Sequence, residues 1–196
     1  MLTAIFGGTF NPFHIGHYEM LKVLNNDTNI EKILLMPDNL PPHKSSDGLI
    51  DNETRIEMCK IIAQDFSKCE VCLIEFEREG KSYSYDTVKL LQERYSNKNF
   101  AFVCGGDMLV YFEKWYRYKD LMKMLPFIVF ERIGTKKDEF IECIRKLRLE
   151  GMEIILKSEI IPDVSSTQLR ENFLENKELL PNNVFEFLAK RGVYGG

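Results

Sequence analysis

The chain has 196 residues, of which 44% are apolar and 29% are charged, and its formal net charge is −4. This length and apolar content predict one domain, residues 1–196, with a substantial core. The acidic balance argues against a nucleic-acid partner, which would favour a basic surface. The chain contains no stretch of about 18 uncharged apolar residues, so no membrane span is expected. The N-terminus lacks the basic and apolar segments of a signal peptide.

The cysteines favour a reducing compartment. There are five of them, an odd number in a chain that is not small, so we expect no disulfide framework. Cys69 and Cys72 form a C-x-x-C in a predicted strand, where residues three apart point to opposite faces. No second pair or neighbouring histidine completes a zinc site. We therefore expect free thiols, no protein-held metal and a cytoplasmic location.

Apolar runs that are typical of strands alternate along the chain with segments of helical period. Strands are predicted at residues 2–6, 30–36, 69–76, 100–104, 127–131 and 154–156. Helices are predicted at 16–24, 53–66 and 86–95, in a short stretch up to 124, and at 139–149, 167–174 and 183–189. On the second helix, Ile56, Cys59, Ile62 and Phe66 are expected to be buried. The alternation predicts an α/β fold, a Rossmann-like doubly wound parallel sheet with helices on both faces.

The stretch GGTFNPFHIGH, residues 7–17, separates the first predicted strand from the first predicted helix. Glycine permits a sharp turn close to a ligand, and a helix start offers N–H groups to an anion. His14 and His17, three residues apart, can direct both rings to one point. The stretch is neither a P-loop nor a dinucleotide fingerprint. It predicts a phosphate site beside the glycine pair 105–106, which also follows a strand; two surface histidines in a turn are the alternative.

Two other motifs carry groups suited to phosphate. In LPPHK, residues 40–44, two prolines stiffen the chain beside His43 and Lys44, and a lysine can neutralise phosphate. In VSSTQLR, residues 164–170, hydroxyls at a predicted helix start precede Arg170, whose planar fork can clamp oxyanions. A solvated loop and a plain capped helix are the alternative interpretations.

Three further features supply a carboxylate, an aromatic ring and hydroxyl groups. GGDM, residues 105–108, places Asp107 after a strand, where a carboxylate can accept ribose hydroxyls. Trp115, the single tryptophan, can stack on an aromatic ring or pack in the core. Hydroxyl groups crowd KSYSYDT, residues 81–87, before a predicted helix. Helix capping by Ser84, Asp86 or Asp107 is the alternative.

Together these blocks resemble the bacterial nicotinate-nucleotide adenylyltransferases of the HxGH nucleotidyltransferase superfamily. Residues 14–17, HIGH, match HxGH, and the family opening commonly reads GGTFDPPHxGH, with Asn11 and Phe13 here replacing Asp and Pro. The other blocks of this chain match further family motifs in the family's order, namely PPHK, SYTxDT, GxDM, WY and [IV]SSTxIR. Ser84 stands where the family has the threonine of SYT. The resemblance implies adenylyl transfer from ATP to nicotinate mononucleotide, giving nicotinate adenine dinucleotide and pyrophosphate in NAD biosynthesis.

The resemblance also implies roles for individual residues. The catalytic residues would be His14, His17 and Arg170. ATP would bind at Gly7, Gly8, Thr9, Phe10, Gly105, Asp107, Ser165, Ser166 and Thr167. Nicotinate mononucleotide would bind at His43, Lys44, Ser84, Trp115, Tyr116 and Arg132. Mg²⁺ is expected on the ATP phosphates with few protein ligands. The attacking phosphate monoester is already ionised at neutral pH, so no strong general base is expected.

Other proteins share the HxGH motif. The nearest are nicotinamide-mononucleotide and pantetheine-phosphate adenylyltransferases, against which the PPHK, SYSYDT and KWY blocks count. A class I aminoacyl-tRNA synthetase is disfavoured because the chain is short and lacks a KMSKS-like lysine loop. A non-catalytic nucleotide sensor is the alternative from another class, and the intact His14, His17 and Arg170 count against it. The sequence does not decide how strictly the acid substrate is preferred over the amide. It also leaves the oligomeric state open, and a homo-oligomer is compatible with it.

Overall fold

Within the residues that the structure describes, six parallel strands form one sheet. The computed structural model describes residues 1–40, 48–78, 80–133 and 136–195. The strands are β1 Leu2–Gly8, β2 Ile30–Pro37, β3 Cys69–Val71, β4 Phe100–Gly105, β5 Phe127–Arg132 and β6 Ile154–Ile161. Their order is β3-β2-β1-β4-β5-β6, and every neighbouring pair is parallel. The order reverses between β1 and β4, and doubly wound sheets bind ligands at that point.

Helices connect the strands and cover both faces of the sheet. They are α1 Ile15–Asn26, α2 Asn52–Ala63, α3 Ser84–Arg94, α4 Gly106–Val110, α5 Tyr118–Met124, α6 Lys137–Leu149, α7 Ser166–Glu171 and α8 Asn182–Lys190. Short 3₁₀ turns lie at Ile74–Glu77, Phe112–Lys114, Lys177–Leu179 and Val193–Gly195. Within the described ranges, no helix has the length and apolar character needed to cross a bilayer.

The core has two layers, one on each side of the sheet. Alternate residues of β1 show the division, since Ala4 and Phe6 belong to one layer and Ile5 to the other. Helices α1, α2, α7 and α8 contribute to the first layer, and α3 to α6 contribute to the second. The predicted doubly wound α/β fold is therefore confirmed.

Several predicted elements were wrong in extent, among them α2, which ends at Ala63 rather than residue 66, and β6, which continues to Ile161 rather than ending at residue 156. Strand β3 ends at Val71, so Cys72 lies outside it and the face argument for the C-x-x-C does not apply. β3 is an edge strand paired only with β2, and the chain then turns to bury Glu75, which is 4% exposed. Helix α7 ends at Glu171, three residues before its predicted end, and its last turn is held by contacts described below.

The buried face of α2 also differs from the prediction. Ile56 is only partly buried, whereas Arg55 is 0% exposed and lies among buried Met58, Cys59 and Ile62. Cys59, Ile62 and Phe66 are buried as predicted, so the prediction was wrong only at Ile56. The Arg55 guanidinium occupies an inner position that the apolar pattern did not assign. The partners of this guanidinium belong to the site.

Candidate functional site

A cavity of about 480 Å³ opens at the carboxyl ends of the central strands. This is a size typical of small-molecule sites. Its lining includes residues predicted from the sequence, namely Gly7, Gly8, Thr9, Phe10, His14, His17, Ser84, Gly105, Asp107, Trp115, Tyr116, Arg132, Ser165, Ser166 and Thr167. The fold thus brings together residues that lie far apart in the sequence. Their individual roles stay predictions.

Of the predicted site residues that the structure describes, Arg170 alone is absent from this lining. Arg170 lies behind it, where Nη1 donates to the backbone carbonyl of Asn11 at 2.8 Å and Nη2 donates to Thr167 Oγ1 at 3.0 Å. Arg170 therefore supports a cavity wall through Thr167. His43 and Lys44 fall outside the described residues, so their predicted contact with substrate stays a prediction.

The turn after β1 contains a strained residue. Phe10 has φ 46°, a left-handed conformation that costs about 1–3 kcal/mol in residues other than glycine. Its ring is 2% exposed and packs against Phe6, Phe13 and His17, with centroid distances of 5.8, 5.3 and 5.1 Å. A Cβ on Gly8 would lie 2.9 Å from this ring, so the turn requires glycine there. Burial of the ring offsets the strain and holds the turn in shape.

The two histidines cap α1 reciprocally. His14 Nδ1 accepts from the His17 backbone N–H at 3.4 Å, and His17 Nδ1 accepts from the His14 backbone N–H at 3.3 Å. The rings stack with centroids 3.7 Å apart. Burial, aided by the charge of Arg132, lowers the pKa of His14 to about 3. His14 is therefore neutral at pH 7, and because Nδ1 accepts a hydrogen bond, its proton is on Nε2.

Arg132 and Asp107 form an ion pair in the lining of the cavity. Arg132 Nε is 3.5 Å from Asp107 Oδ1, and the charge of Arg132 also reaches His14. A Cβ on Gly105 would overlap Asp107 Oδ1 and lie 3.1 Å from Arg132 Nε. The N-cap of α4 is Gly105, without a side-chain cap bond, so the capping alternative for Asp107 was wrong. Glycine at 105 allows the ion pair to sit against the strand end.

The other end of the cavity is aromatic. The Trp115 ring packs 5.7 Å from Phe102 and 5.3 Å from Phe112, centroid to centroid, and it also lines the cavity. The Tyr116 ring lies 4.7 Å from that of Tyr83. Trp115 therefore packs against core aromatics and also borders the cavity, and its stacking on a ligand ring stays a prediction.

The N-terminus of α3 borders the same end. The helix begins at Ser84 with Tyr83 as its N-cap and without a side-chain cap bond, so neither Ser84 nor Asp86 caps it. The capping alternative was therefore wrong here as well. The first turn of a helix carries N–H groups without intrahelical partners and a positive potential, both of which favour an anion.

Sequence reasoning missed a buried polar cluster beneath α3. Arg78 Nη2 donates to both carboxylate oxygens of Glu75, at 3.3 and 3.2 Å, and to Thr87 Oγ1 at 2.7 Å. Thr87 also contacts Glu75 directly. Glu75 and Thr87 line the cavity, and Arg78 balances the buried charge. The cluster was missed because the pattern assigned Glu75 to a strand.

Sequence reasoning also missed Arg55. Its Nη1 donates to the Thr9 carbonyl at 2.9 Å, its Nε to the Ile50 carbonyl at 3.3 Å and its Nη2 to the Asn39 carbonyl at 3.4 Å. Burial lowers the pKa of Arg55, although the charge of Asp38 opposes the shift. One guanidinium therefore connects the turn after β1 to two points of the chain on either side of residues 41–47.

Comparisons with known proteins agree with this geometry. Residues 5–172 match the cytidylyltransferase-like family model. A nicotinate-nucleotide adenylyltransferase of Bacillus subtilis is 36% identical over 195 residues, which cover 97% of each chain. The fold resembles a Plasmodium falciparum nicotinic acid mononucleotide adenylyltransferase complexed with NaAD, with a TM-score of 0.79, 22% identity and coverage of 98% of this chain and 96% of that one. The P. falciparum protein complexed with APC gives a TM-score of 0.78 at the same identity and coverage.

Proposed function

Because this chain belongs to the nicotinate-nucleotide adenylyltransferase family, we propose that its cavity transfers the adenylyl group of ATP to nicotinate mononucleotide. The products are nicotinate adenine dinucleotide and pyrophosphate, and the reaction is a step of NAD biosynthesis. One observation carries the proposal. A single cavity is lined at one end by the glycine turn and the histidine pair, and at the other by Ser84 and Trp115.

ATP phosphates are proposed to bind between the turn after β1 and the start of α7. Thr167 Oγ1 accepts from Arg170, which directs the Thr167 hydroxyl proton away from that arginine and toward other acceptors. The Ser165 oxygen accepts from the Thr167 N–H at 3.2 Å and so shapes the helix start. Ser166 donates to the Pro12 carbonyl at 3.1 Å and joins α7 to the turn. Thr167 is thus the proposed donor, and its two serine neighbours position it.

The reacting groups meet near His14 and Arg132. An ionised oxygen of the mononucleotide phosphate attacks the α-phosphorus of ATP, and the bond to the β-phosphate oxygen breaks to release pyrophosphate. Neutral His14 donates its Nε2 proton in a hydrogen bond to a phosphate oxygen without transferring it. The positive charge of Arg132 reduces repulsion between the two anions. No residue has to remove a proton from the nucleophile, which is ionised already.

The nicotinate group is proposed to bind at the aromatic end. The flat face of a pyridine ring matches the Trp115 indole. The carboxylate is drawn to the N-terminal turn of α3, where Ser84 and the backbone near Tyr116 act as donors. An amide in the same place carries no charge for this positive potential to stabilise. The site should therefore favour the acid over the amide.

Mg²⁺ is proposed to enter with ATP. Among the residues that the structure describes, no group of three or more histidine, cysteine or acidic side chains is arranged to hold a metal. Asp38, Asp107 and Asp163 line the cavity separately, which suits an ion that keeps waters and phosphate oxygens as most of its ligands. When bound, Mg²⁺ neutralises charge on the phosphates. We further propose that residues 1–196 form one nucleotidyltransferase domain acting in the cytoplasm, consistent with five free cysteines.

Pyrophosphate release tests the proposal. Purified protein is incubated with Mg·ATP and either nicotinate mononucleotide or its amide, side by side, and initial rates are compared. The acid should react at least about tenfold faster, a difference of about 1.4 kcal/mol in transition-state binding. His17 is proposed to donate to a phosphate oxygen beside His14, so His17→Ala should reduce kcat at least about 100-fold, the scale of a lost transition-state donor. Equal rates for acid and amide contradict the carboxylate site, and nucleotide binding without pyrophosphate release indicates a sensor.

A further inference from the structure

The side chain of Asn11 connects three distant segments. It is 5% exposed. Its Oδ1 accepts from the Ile50 N–H at 3.0 Å and from the Tyr194 hydroxyl at 2.8 Å, and its Nδ2 donates to the Gly48 carbonyl at 3.0 Å. A backbone N–H can only donate and a carbonyl can only accept, so these partners determine the orientation of the carboxamide. An aspartate could not donate to Gly48, which gives a physical reason for asparagine here.

The backbone of the same turn holds α7. The Asn11 carbonyl accepts from Arg170 Nη1 at 2.8 Å, and the Pro12 carbonyl accepts from Ser166 Oγ at 3.1 Å. Arg170 in turn donates to Thr167 Oγ1, which lines the cavity. Any shift of the Asn11 peptide therefore moves the support of the proposed phosphate donor Thr167.

Tyr194 supplies the third hydrogen bond to the Asn11 side chain from a position 183 residues later in the sequence. Its ring packs against Phe173, with centroids 5.5 Å apart, inside the first core layer. Burial raises the pKa of Tyr194, against the opposing charges of Arg170 and Arg55, so the hydroxyl keeps its proton and donates at neutral pH. The segment after α8 is thereby joined to the turn after β1.

We propose that Tyr194 is a positioning residue for ATP. Its hydroxyl holds Asn11, and Asn11 holds Arg170 and Thr167 where the phosphates bind. This inference rests on the proposed function for the identity of the nucleotide. None of these contacts involves Ser84 or Trp115, so the effect on ATP is separate from binding of the second substrate.

Tyr194→Phe tests the role of the hydroxyl, because it keeps the ring against Phe173. The Kd of Mg·ATP is measured by titration calorimetry, and KM values are measured for both substrates. The Kd and the KM for ATP should rise about fivefold, the effect of losing one hydrogen bond, while the KM for nicotinate mononucleotide stays within about twofold. Unchanged ATP binding, or an equal rise of both KM values, overturns the proposal.

Two controls separate positioning from general destabilisation. Tyr95→Phe removes a hydroxyl from a tyrosine that is 45% exposed and should change neither Kd nor KM. Leu147→Ala leaves a cavity in the second core layer and should lower the melting temperature while leaving the Kd of Mg·ATP unchanged. If Leu147→Ala weakens ATP binding as much as Tyr194→Phe does, loss of stability explains both and the proposal fails.

A double-mutant cycle tests the route through Asn11. Once Asn11→Ala has removed the acceptor, adding Tyr194→Phe should not weaken ATP binding further. Circular dichroism verifies that each variant is folded, and Tyr194→Phe alone decides the proposal if Asn11→Ala does not fold. Additive effects mean that the hydroxyl acts by another route and contradict the proposal. If the unmodified protein binds ATP but releases no pyrophosphate, the proposed function fails, whereas the Kd comparison still tests Tyr194.

Discussion

Replacing His14 with asparagine should remove an acid-sensitive contribution to stability. The ring is 2% exposed, and its pKa falls from an ordinary 6.5 to about 3 in the folded chain. Between these values the unfolded chain binds more protons than the folded chain, so stability rises with pH in this window. The contribution is fully present above about pH 6.5 and declines as the pH falls. The loss between pH 7 and pH 5 is about 2 kcal/mol of unfolding free energy.

Asparagine is chosen because its Oδ1 can accept from the His17 N–H as the imidazole does, which preserves the cap of α1. Denaturant unfolding of both proteins at pH 7, 6 and 5 measures the difference. The unmodified protein should lose about 2 kcal/mol more than His14→Asn over this range. Carboxylates such as Asp51, whose pKa the Thr54 hydrogen bonds lower, stay ionised throughout. Parallel pH profiles for the two proteins would refute a buried neutral His14.

Three further changes test other contacts. Arg55→Lys should lower the unfolding free energy by about 2–3 kcal/mol, because an ammonium group cannot bridge the same carbonyls; an unchanged denaturation midpoint contradicts this. Gly106→Ala should cost about 1–3 kcal/mol, since its Cβ would lie 2.7 Å from the Phe140 ring; an unchanged melting temperature would show that the ring moves aside. Trp115→Ala should raise the KM for nicotinate mononucleotide and leave that for ATP within about twofold, because the indole contributes stacking area at one end of the cavity; steady-state kinetics that show an effect on ATP alone contradict the assignment.

The sheet was predictable because its central strands are buried on both faces. Such strands appear in a sequence as continuous apolar runs, and β1, β2 and β4 fit that pattern. The lining of the cavity was predictable for a related reason. In a doubly wound sheet, residues that follow strands converge at one edge, so separate blocks such as 7–17 and 105–107 meet there.

Contacts that depend on tertiary structure left weaker signals. Tyr194 and Asn11 lie 183 residues apart, and no local pattern connects them. The left-handed backbone of Phe10 depends on where its ring can be buried. Arg55 did leave a signal, because a charged residue in phase with Met58 and Cys59 on an apolar helix face indicates a buried charge with partners.

The contacts of the Arg55 guanidinium should let one stretch of the chain change in length without loss of the fold. The guanidinium donates directly to the carbonyls of Asn39 and Ile50, so one side chain fixes both ends of the stretch between them. The entropy of closing a loop grows only slowly with its length, so insertions between these anchors that leave Gly48 on Asn11 should cost the fold little. The length of this stretch can therefore change while Arg55 keeps its two ends beside the turn after β1. Because His43 and Lys44 are predicted to bind the mononucleotide, changes in this stretch can alter substrate preference separately from thermodynamic stability.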